Sequence, residues 1–103
     1  MYVKIYQYHI QKNKENEFFA IQDQVSNIYR KHIDFQTTYL QSKIDETKWL
    51  EIAKYKDEND YNQSIQWINE EEEVQALFQA FQALLVEGKQ EISEEDFTLK
   101  KTI

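Results

Sequence analysis

The sequence contains no cysteine, no proline and only one glycine, Gly88. Without cysteine, the chain forms no disulfide and has no thiolate for catalysis or for binding zinc. A single glycine cannot build the glycine-rich loops that hold phosphate groups in P-loop and dinucleotide-binding proteins. These absences therefore exclude thiol chemistry, cysteine-ligated metal and the common nucleotide-binding motifs.

Basic residues are also scarce, because 12 lysines and arginines stand against 19 aspartates and glutamates, for a net charge of −7. Proteins that bind nucleic acid or anionic membranes need a basic surface. We therefore expect neither partner and attribute the acidity to solubility. The two histidines, His9 and His32, lie far apart in the sequence, so we also predict no histidine-rich metal site.

Long apolar runs are missing as well. A membrane-spanning helix needs roughly 20 apolar residues, and Lys4 interrupts the first apolar pattern, so we expect neither a membrane span nor a signal peptide. These features predict a cytoplasmic protein. Hydrophobic residues nevertheless make up 41% of the 103 residues, which is enough for one core and predicts a single domain over residues 1–103.

The first elements that the pattern predicts are a strand and a helix. Residues 2–10 alternate in type, with Val3 and Ile5 on one face and Tyr2, Tyr6 and Tyr8 on the other. Residues 12–32 follow with apolar side chains at helical spacing. The stripe consists of Phe18, Ile21, Val25, Ile28 and His32. Asn13 is the candidate N-cap of this helix.

A β-hairpin is predicted next, from residues 37–44 and 48–55 and the short polar turn between them. In the second run, Trp49, Glu51 and Tyr55 share one face because side chains alternate along a strand. A carboxylate is thereby placed among aromatic side chains.

The remainder of the chain predicts a second helical region and a last strand. Asp57 is the candidate N-cap, and the acidic run Glu70–Glu73 suits the start of a new helix, so we expect a break there. Gly88 is expected to cap the end of that helix. The acidic residues 91–96 are expected to form a loop and residues 97–103 a strand.

The element order is thus β-α-β-β-α-β, an α+β arrangement. Right-handed crossovers place both helical regions on one face of a four-stranded antiparallel sheet and leave the other face bare. The apolar residues of the first strand make that bare face unsuited to water. A second copy of the sheet is the simplest cover, so we predict a homodimer.

Two segments, "WLEIAKYKDENDYNQSIQW" and "EEEEVQALFQAFQALL", resemble the antibiotic-biosynthesis-monooxygenase-like domains of the dimeric α/β-barrel superfamily. Tyr55 stands where that family often has tryptophan. The resemblance covers nearly the whole chain and implies a ferredoxin-like protomer. It also implies two protomers that stack their sheets into a barrel, and a cleft between the sheet and the second helix of each.

The same resemblance implies a cofactor-independent monooxygenase acting on, or binding, a small aromatic molecule. The pattern departs from the haem-degrading branch, which has an asparagine on the first strand and a histidine on the second helix. Here residues 5–8 contain no asparagine, residues 74–85 contain no histidine, and Ser64 occupies a position where many members have histidine. These departures argue against haem cleavage and leave open a non-catalytic binding or interaction module of the same fold.

His9 and Glu51 are the candidate proton carriers. A histidine titrates near neutrality, and a carboxylate among aromatic side chains has a raised pKa. The alternative is structural, with His9 at the edge of the core and Glu51 at a solvated or dimer-facing edge, where a cross-strand pair with Lys4 is one option. His32 is expected only to pack at a helix end.

The candidate ligand-binding residues are polar or aromatic side chains that the predicted elements bring near the cleft. They are Gln7, Tyr39, Trp49, Tyr55, Trp67 and Phe78. The sequence leaves one point open, since Leu77, Phe78 and Phe81 could either fill the core or line an open cleft.

Overall fold

The computed structural model describes residues 1–103 and contains four strands and three helices. They are β1 (Tyr2–His9), α1 (Glu15–Tyr29), β2 (Phe35–Gln41), β3 (Lys48–Tyr55), α2 (Glu58–Asn69), α3 (Glu72–Gln82) and β4 (Ser93–Thr98). The strands form one antiparallel sheet in the order β2-β3-β1-β4. This is the predicted ferredoxin-like α+β fold, with the second helical region divided into two helices.

The faces of β1 are divided as the alternation predicted. Tyr2 and Tyr8 are buried among the helices, and Tyr8 contacts Phe18 of α1 and Phe81 of α3 edge to face. Val3 and Ile5 lie on the face that carries no helix. The tyrosines therefore belong to the helical layer and the aliphatic residues to the bare face.

Two clusters of buried side chains make up the core. One gathers around Phe18, Trp49 and Phe81, and the other around Tyr55 and Ile68 at the opposite end of the sheet. Phe18 is fully buried, and its ring lies 5.2 Å from Trp49 and 5.6 Å from Tyr39. The helices are thus anchored at both ends of the sheet, with space for a cleft between the two clusters.

Two predicted helix boundaries are confirmed. The Asp57 carboxylate accepts a hydrogen bond of 2.7 Å from the backbone N–H of Asp60, and this satisfies one of the free donors at the start of α2. The helical region breaks within the acidic run, because α2 ends at Asn69 and α3 begins at Glu72. The Glu71 carboxylate accepts a hydrogen bond of 3.0 Å from His32 Nε2, and this contact links the junction to the end of α1.

Three other expectations about helix and strand ends are wrong. Asn13 is left-handed, with φ of 69°, and Lys14 takes the N-cap position without a side-chain hydrogen bond. Gly88 is also left-handed, but it lies in the turn that joins Val86 to Lys89, because α3 ends earlier and Ala83 is its C-cap. The first strand of the hairpin runs over Phe35–Gln41, so that Ile44 is fully exposed in the turn.

The last strand is also displaced from its predicted position. The acidic segment expected as a loop forms β4, and residues 99–103 have no regular structure. Lys4 explains the difference, because its buried ammonium lies 2.6 Å from Glu94 and 2.8 Å from Asp96. Burial alone would lower the pKa of Lys4, but its hydrogen bonds to Asp96 and Glu94 outweigh burial and raise it. The charges of Glu94 and Asp96 are therefore matched by Lys4 of the neighbouring strand β1.

The bare face of the sheet carries a row of apolar side chains. Ile5 lies opposite Ile52, and Leu50 lies opposite Leu40. Leu40 is 47% exposed and Phe97, at the β4 edge, is 41% exposed. None of the three helices is long and apolar enough to cross a membrane.

Candidate functional site

A cleft of about 360 Å³ lies between the sheet and the helices α1 and α3. Tyr6, Tyr8 and Glu51 form its floor on the sheet. Ten of its 13 lining residues are hydrophobic. From α1 the walls are Ile21, Gln22, Val25 and Tyr29, and from α3 they are Val74, Leu77, Phe78 and Phe81. The cleft is therefore apolar with a few polar groups, which is the usual composition of a small-molecule site.

A second cavity of about 50 Å³ adjoins the first. The two share Tyr6, Gln22, Val25, Tyr29 and Glu51, so they are parts of one space. The smaller part reaches towards β2. Its remaining walls include Thr37, Tyr39 and Tyr55.

The α3 stripe both packs and lines the cleft, which settles the point that the sequence left open. Leu77 and Phe81 are buried, whereas Phe78 is 50% exposed. Residues 74, 77, 78 and 81 share one helix face because they are three or four residues apart. The inner side of this face closes the core and its outer side borders the open cleft.

Two carboxyl groups of the sheet line the cleft, Glu51 of β3 and Glu94 of β4, and Glu94 is paired with Lys4. The Tyr8 hydroxyl donates a hydrogen bond of 2.7 Å to Glu51 Oε1. Burial raises the pKa of the Glu51 carboxyl, and the hydrogen bond from Tyr8 opposes that rise in part. The pKa of this carboxyl is therefore higher than that of an exposed glutamate, and a rise in this direction favours a general base.

The cross-strand pair of Glu51 with Lys4, one option for a structural role of Glu51, does not form. Lys4 lies beside Ala53 on β3, while its ammonium is held by Glu94 and Asp96 of β4. Glu51 therefore has a tyrosine hydroxyl as its partner and no compensating positive charge.

The tyrosines around the cleft remain protonated. Burial raises the pKa of Tyr6, Tyr8, Tyr29 and Tyr39 above that of a free phenol. Each hydroxyl is thus a neutral hydrogen-bond donor. The Tyr39 hydroxyl donates to Gln22 Oε1 over 2.9 Å.

The structure brings together four of the residues singled out in the sequence. Glu51 and Phe78 line the larger cavity, and Tyr39 and Tyr55 line the smaller one. Trp49 lines neither of these two cavities. It packs against Phe18 in the core and is 4% exposed.

The other three lie elsewhere. His9 and Gln7 are on the opposite face of the sheet from Glu51, in a shallow polar depression. His9 Nδ1 lies 3.0 Å from Thr47 Oγ1 and 3.6 Å from Asp45 Oδ2, so it ties the hairpin turn to β1. Trp67 projects from α2 and is 64% exposed.

Sequence reasoning missed the residues that complete the cleft: Tyr6, Tyr8, Gln22 and Tyr29. The sequence did contain a signal for the first two, because Tyr6 and Tyr8 alternate on one face of the first strand. In the sheet, Tyr6 lies opposite Glu51. Gln22 and Tyr29 flank the apolar stripe of α1 beside Val25, at spacings of three, four and seven residues. The spacing predicts that these residues share one helix face, but it does not predict that α3 packs over that face.

No family model matches the chain, and no curated protein matches it. Solved structures do match across nearly the whole chain. An uncharacterized NIPSNAP domain protein from Burkholderia xenovorans has a TM-score of 0.74 at 16% identity, covering 97% of this chain and 95% of its own. SnoaB, a cofactor-independent oxygenase from Streptomyces nogalater, has a TM-score of 0.73 at 14% identity, covering 99% and 95%.

An antibiotic biosynthesis monooxygenase also matches, with a TM-score of 0.70 at 12% identity, over 98% of this chain and 100% of that one. Likeness at these identities concerns the fold. The chain has the same fold as these structures, and the fold is the ferredoxin-like arrangement that its sequence pattern predicted.

Proposed function

We propose that this protein binds a small aromatic molecule in the cleft and acts on it as a cofactor-independent monooxygenase, with Glu51 as the general base. One observation carries the proposal: a partly buried carboxyl group with a raised pKa lies on the floor of an open, aromatic-lined cleft. The fold shared with an oxygenase that needs no cofactor supports it.

The volume and lining of the cleft favour a flat apolar ligand. About 360 Å³ lies within the range typical of small-molecule sites. The rings of Tyr8, Phe78 and Phe81 offer faces and edges for aromatic packing. The carboxylate of Glu51 then accepts a proton from a hydroxyl group on that ring.

Deprotonation is what an oxygenase without a cofactor must supply, because dioxygen reacts with an electron-rich carbanion or phenolate far more readily than with the neutral ring. For 1-naphthol, Glu51 takes the phenolic proton and the para carbon forms a bond to dioxygen. The O–O bond then breaks, the para hydrogen leaves as a proton, and the products are 1,4-naphthoquinone and one water. Dioxygen is the oxidant and the ring is oxidised, so the step balances without a further reductant.

The test is turnover of 1-naphthol by the purified protein, followed as dioxygen uptake and quinone formation. Glu51→Gln keeps the size of the side chain but removes the base, and we expect it to lower the rate by about 100-fold or more. Glu58→Gln is the matched control, because Glu58 is exposed in the first turn of α2. Equal rates for the wild type and Glu51→Gln would contradict the assignment of the base.

The second candidate is a non-catalytic binding module. The Tyr8 hydroxyl already occupies one oxygen of Glu51, and His9 lies on the other face of the sheet, so no histidine relays protons from the cleft. This candidate predicts saturable binding of 1-naphthol without dioxygen uptake. The same experiment therefore distinguishes the two.

We further propose that two copies of the chain pack their bare sheet faces together. The support is the row of Ile5, Ile52, Leu50 and Leu40, since a contiguous exposed apolar face is costly in water. Ile52→Glu places a charge in the middle of this row, and we expect it to convert a dimer to a monomer in native mass spectrometry. A wild-type protein that is monomeric at micromolar concentration would overturn this proposal.

A further inference from the structure

The two ends of α3 are held over the cleft by different kinds of contact. At the C-terminal end, Gln11 donates hydrogen bonds of 3.1 and 3.0 Å to the carbonyl oxygens of Ala83 and Leu85. Phe81, in the last turn, is buried against Tyr8 with the ring centroids 5.0 Å apart. None of these contacts changes its charge near neutral pH.

The N-terminal end of α3 is held by a titratable pair. His32 Nε2 lies 3.0 Å from Glu71 Oε1, and Glu71 is the N-cap residue of α3. His32 follows Tyr29 of α1 by three residues, and Glu71 precedes Val74 of α3 by three. Tyr29 and Val74 both line the larger cavity. The pair therefore joins the two helical walls of the cleft at one end.

The backbone of His32 is fixed independently of this pair. Its carbonyl oxygen accepts a hydrogen bond of 3.1 Å from the side chain of Ser64 in α2, which is itself buried. The next residue, Ile33, is buried in the core. By contrast, α3 is joined to α2 only through Glu70 and Glu71, which lie outside both helices. Weakening of the side-chain contact would therefore release the start of α3 and not the end of α1.

Near neutral pH the charge of the pair depends on His32. The hydrogen bond from His32 lowers the pKa of the Glu71 carboxyl, so Glu71 is ionised over the range from pH 5 to 8 in which a histidine titrates. α2 contributes no charge over residues 61–69. The charged residues that flank the pair in the chain include no other histidine. They are Arg30, Lys31, Asp34, Glu70, Glu72 and Glu73.

We infer that the His32–Glu71 pair is a pH-sensitive clasp, which holds the start of α3 over the cleft when His32 is protonated and loosens it when His32 is neutral. Protonated His32 adds an ion pair to the hydrogen bond, whereas the neutral ring keeps at most the hydrogen bond. The effect on ligand exchange rests on the proposed function, because it concerns the same cleft. The movement of α3 does not.

The first test measures the clasp without a ligand. Backbone hydrogen exchange of the wild type is followed by NMR at pH 5.5 and pH 7.5 and expressed as protection factors, which removes the intrinsic pH dependence of exchange. We expect the protection of residues 75–78, relative to residues 79–82, to be about threefold to fivefold higher at pH 5.5, the upper range for a partly exposed ion pair. The ratio within one helix cancels any change in global stability.

Two variants assign the effect to His32. His32→Gln keeps a side chain that can donate a hydrogen bond but cannot change its charge, and we expect it to abolish the pH dependence of the ratio. Glu70→Gln is the matched control, because Glu70 is exposed in the same acidic run and makes no hydrogen bond with His32. A wild-type ratio that is equal at both pH values would overturn the clasp, and so would a ratio that still changes with pH in His32→Gln.

The second test asks whether the clasp governs the cleft. Naphthalene has no titratable group, and its dissociation rate is measured by stopped-flow fluorescence. We expect dissociation from the wild type to be about threefold to fivefold slower at pH 5.5 than at pH 7.5. His32→Gln retains Glu51, so equal rates at the two pH values in this variant would assign the difference to the clasp.

The two tests separate failure of the clasp from failure of the proposed function. Equal dissociation rates in the wild type, with the difference in hydrogen exchange intact, would overturn control of the cleft by the clasp. Failure of naphthalene to bind at either pH would count against the proposed ligand site, while hydrogen exchange would still decide whether the clasp exists.

Discussion

The hydrogen bond between Tyr8 and Glu51 permits the most detailed prediction. The bond is 2.7 Å long and partly buried, its donor Tyr8 is 2% exposed, and its acceptor is a carboxylate when Glu51 is ionised. Tyr8→Phe removes the donor without changing the packing of the ring against Phe18 and Phe81. The variant thus isolates the contribution of one hydroxyl group.

The magnitude follows from the charge of the acceptor. A hydrogen bond to a charged group contributes about 1.5–3 kcal/mol and one between neutral groups about 1 kcal/mol. We therefore expect Tyr8→Phe to lower the free energy of unfolding by about 2 kcal/mol at pH 8 and by about 1 kcal/mol at pH 4, where Glu51 is protonated. For a chain of this size, 2 kcal/mol corresponds to a decrease in Tm of about 9 °C.

The assay is thermal unfolding of the wild type and Tyr8→Phe from pH 4 to pH 8, at one fixed protein concentration. Tyr29→Phe is the matched control, because the Tyr29 hydroxyl lies in the same cleft and makes no hydrogen bond within the protein. We expect its Tm to change by less than about 2 °C. A loss for Tyr8→Phe that is the same at both pH values, or no larger than that of Tyr29→Phe, would refute the reasoning.

Three further predictions concern stability. Phe18→Ala should lower the free energy of unfolding by about 3–5 kcal/mol in urea titrations, because Phe18 is fully buried; a loss no larger than that of the half-exposed Phe78→Ala would contradict this. Asp57→Ala should cost about 1 kcal/mol through loss of its hydrogen bond to the N–H of Asp60, and an unchanged urea midpoint would count against the cap. Glu51→Gln should match the wild type in stability near pH 4 and exceed it increasingly as pH rises. The pKa of Glu51 is raised in the folded state, so the native protein binds the proton more tightly than the unfolded chain does. The wild type therefore loses stability as the pH rises from the unfolded-state pKa through the folded-state pKa. A constant difference at all pH values would show that Glu51 titrates normally.

Much of the fold could be predicted because local patterns and tertiary packing agree. Alternation in residues 2–10 gave the two faces of β1, and the Asp57 cap and the acidic run at residues 70–73 marked real helix ends. Each of these signals depends on neighbours within a few residues. These local predictions are correct because no long-range contact in the structure favours a different conformation of the same residues.

The position of β4 could not be predicted in this way. Acidic residues have low strand propensity, so residues 91–96 looked like a loop. Lys4 lies some 90 positions away in sequence and supplies the charge that makes Glu94 and Asp96 acceptable in a strand. The partner is visible only once the strand order is known.

The candidate site was predicted only in part, again because some of its contacts depend on how the strands pair. Glu51 could be identified from its aromatic neighbours on one strand, but its partner Tyr8 depended on the register between β1 and β3, where Tyr8 lies opposite Trp49. The sequence also could not show that His9 and Gln7 fall on the far side of the sheet from the cleft. Alternation assigns side chains to two faces, and only the placement of the helices tells which face is covered.

The most direct test of the central claim is carbon-13 NMR of the glutamate side-chain carboxyls, with the Glu51 resonance assigned from its absence in Glu51→Gln. The pH titration is recorded with and without 1-naphthol. We predict that Glu51 titrates above the ordinary range of glutamate, and that the ligand shifts its resonance far more than those of exposed glutamates. A Glu51 resonance that titrates in the ordinary range and does not respond to 1-naphthol would contradict the account of the cleft as a ligand site.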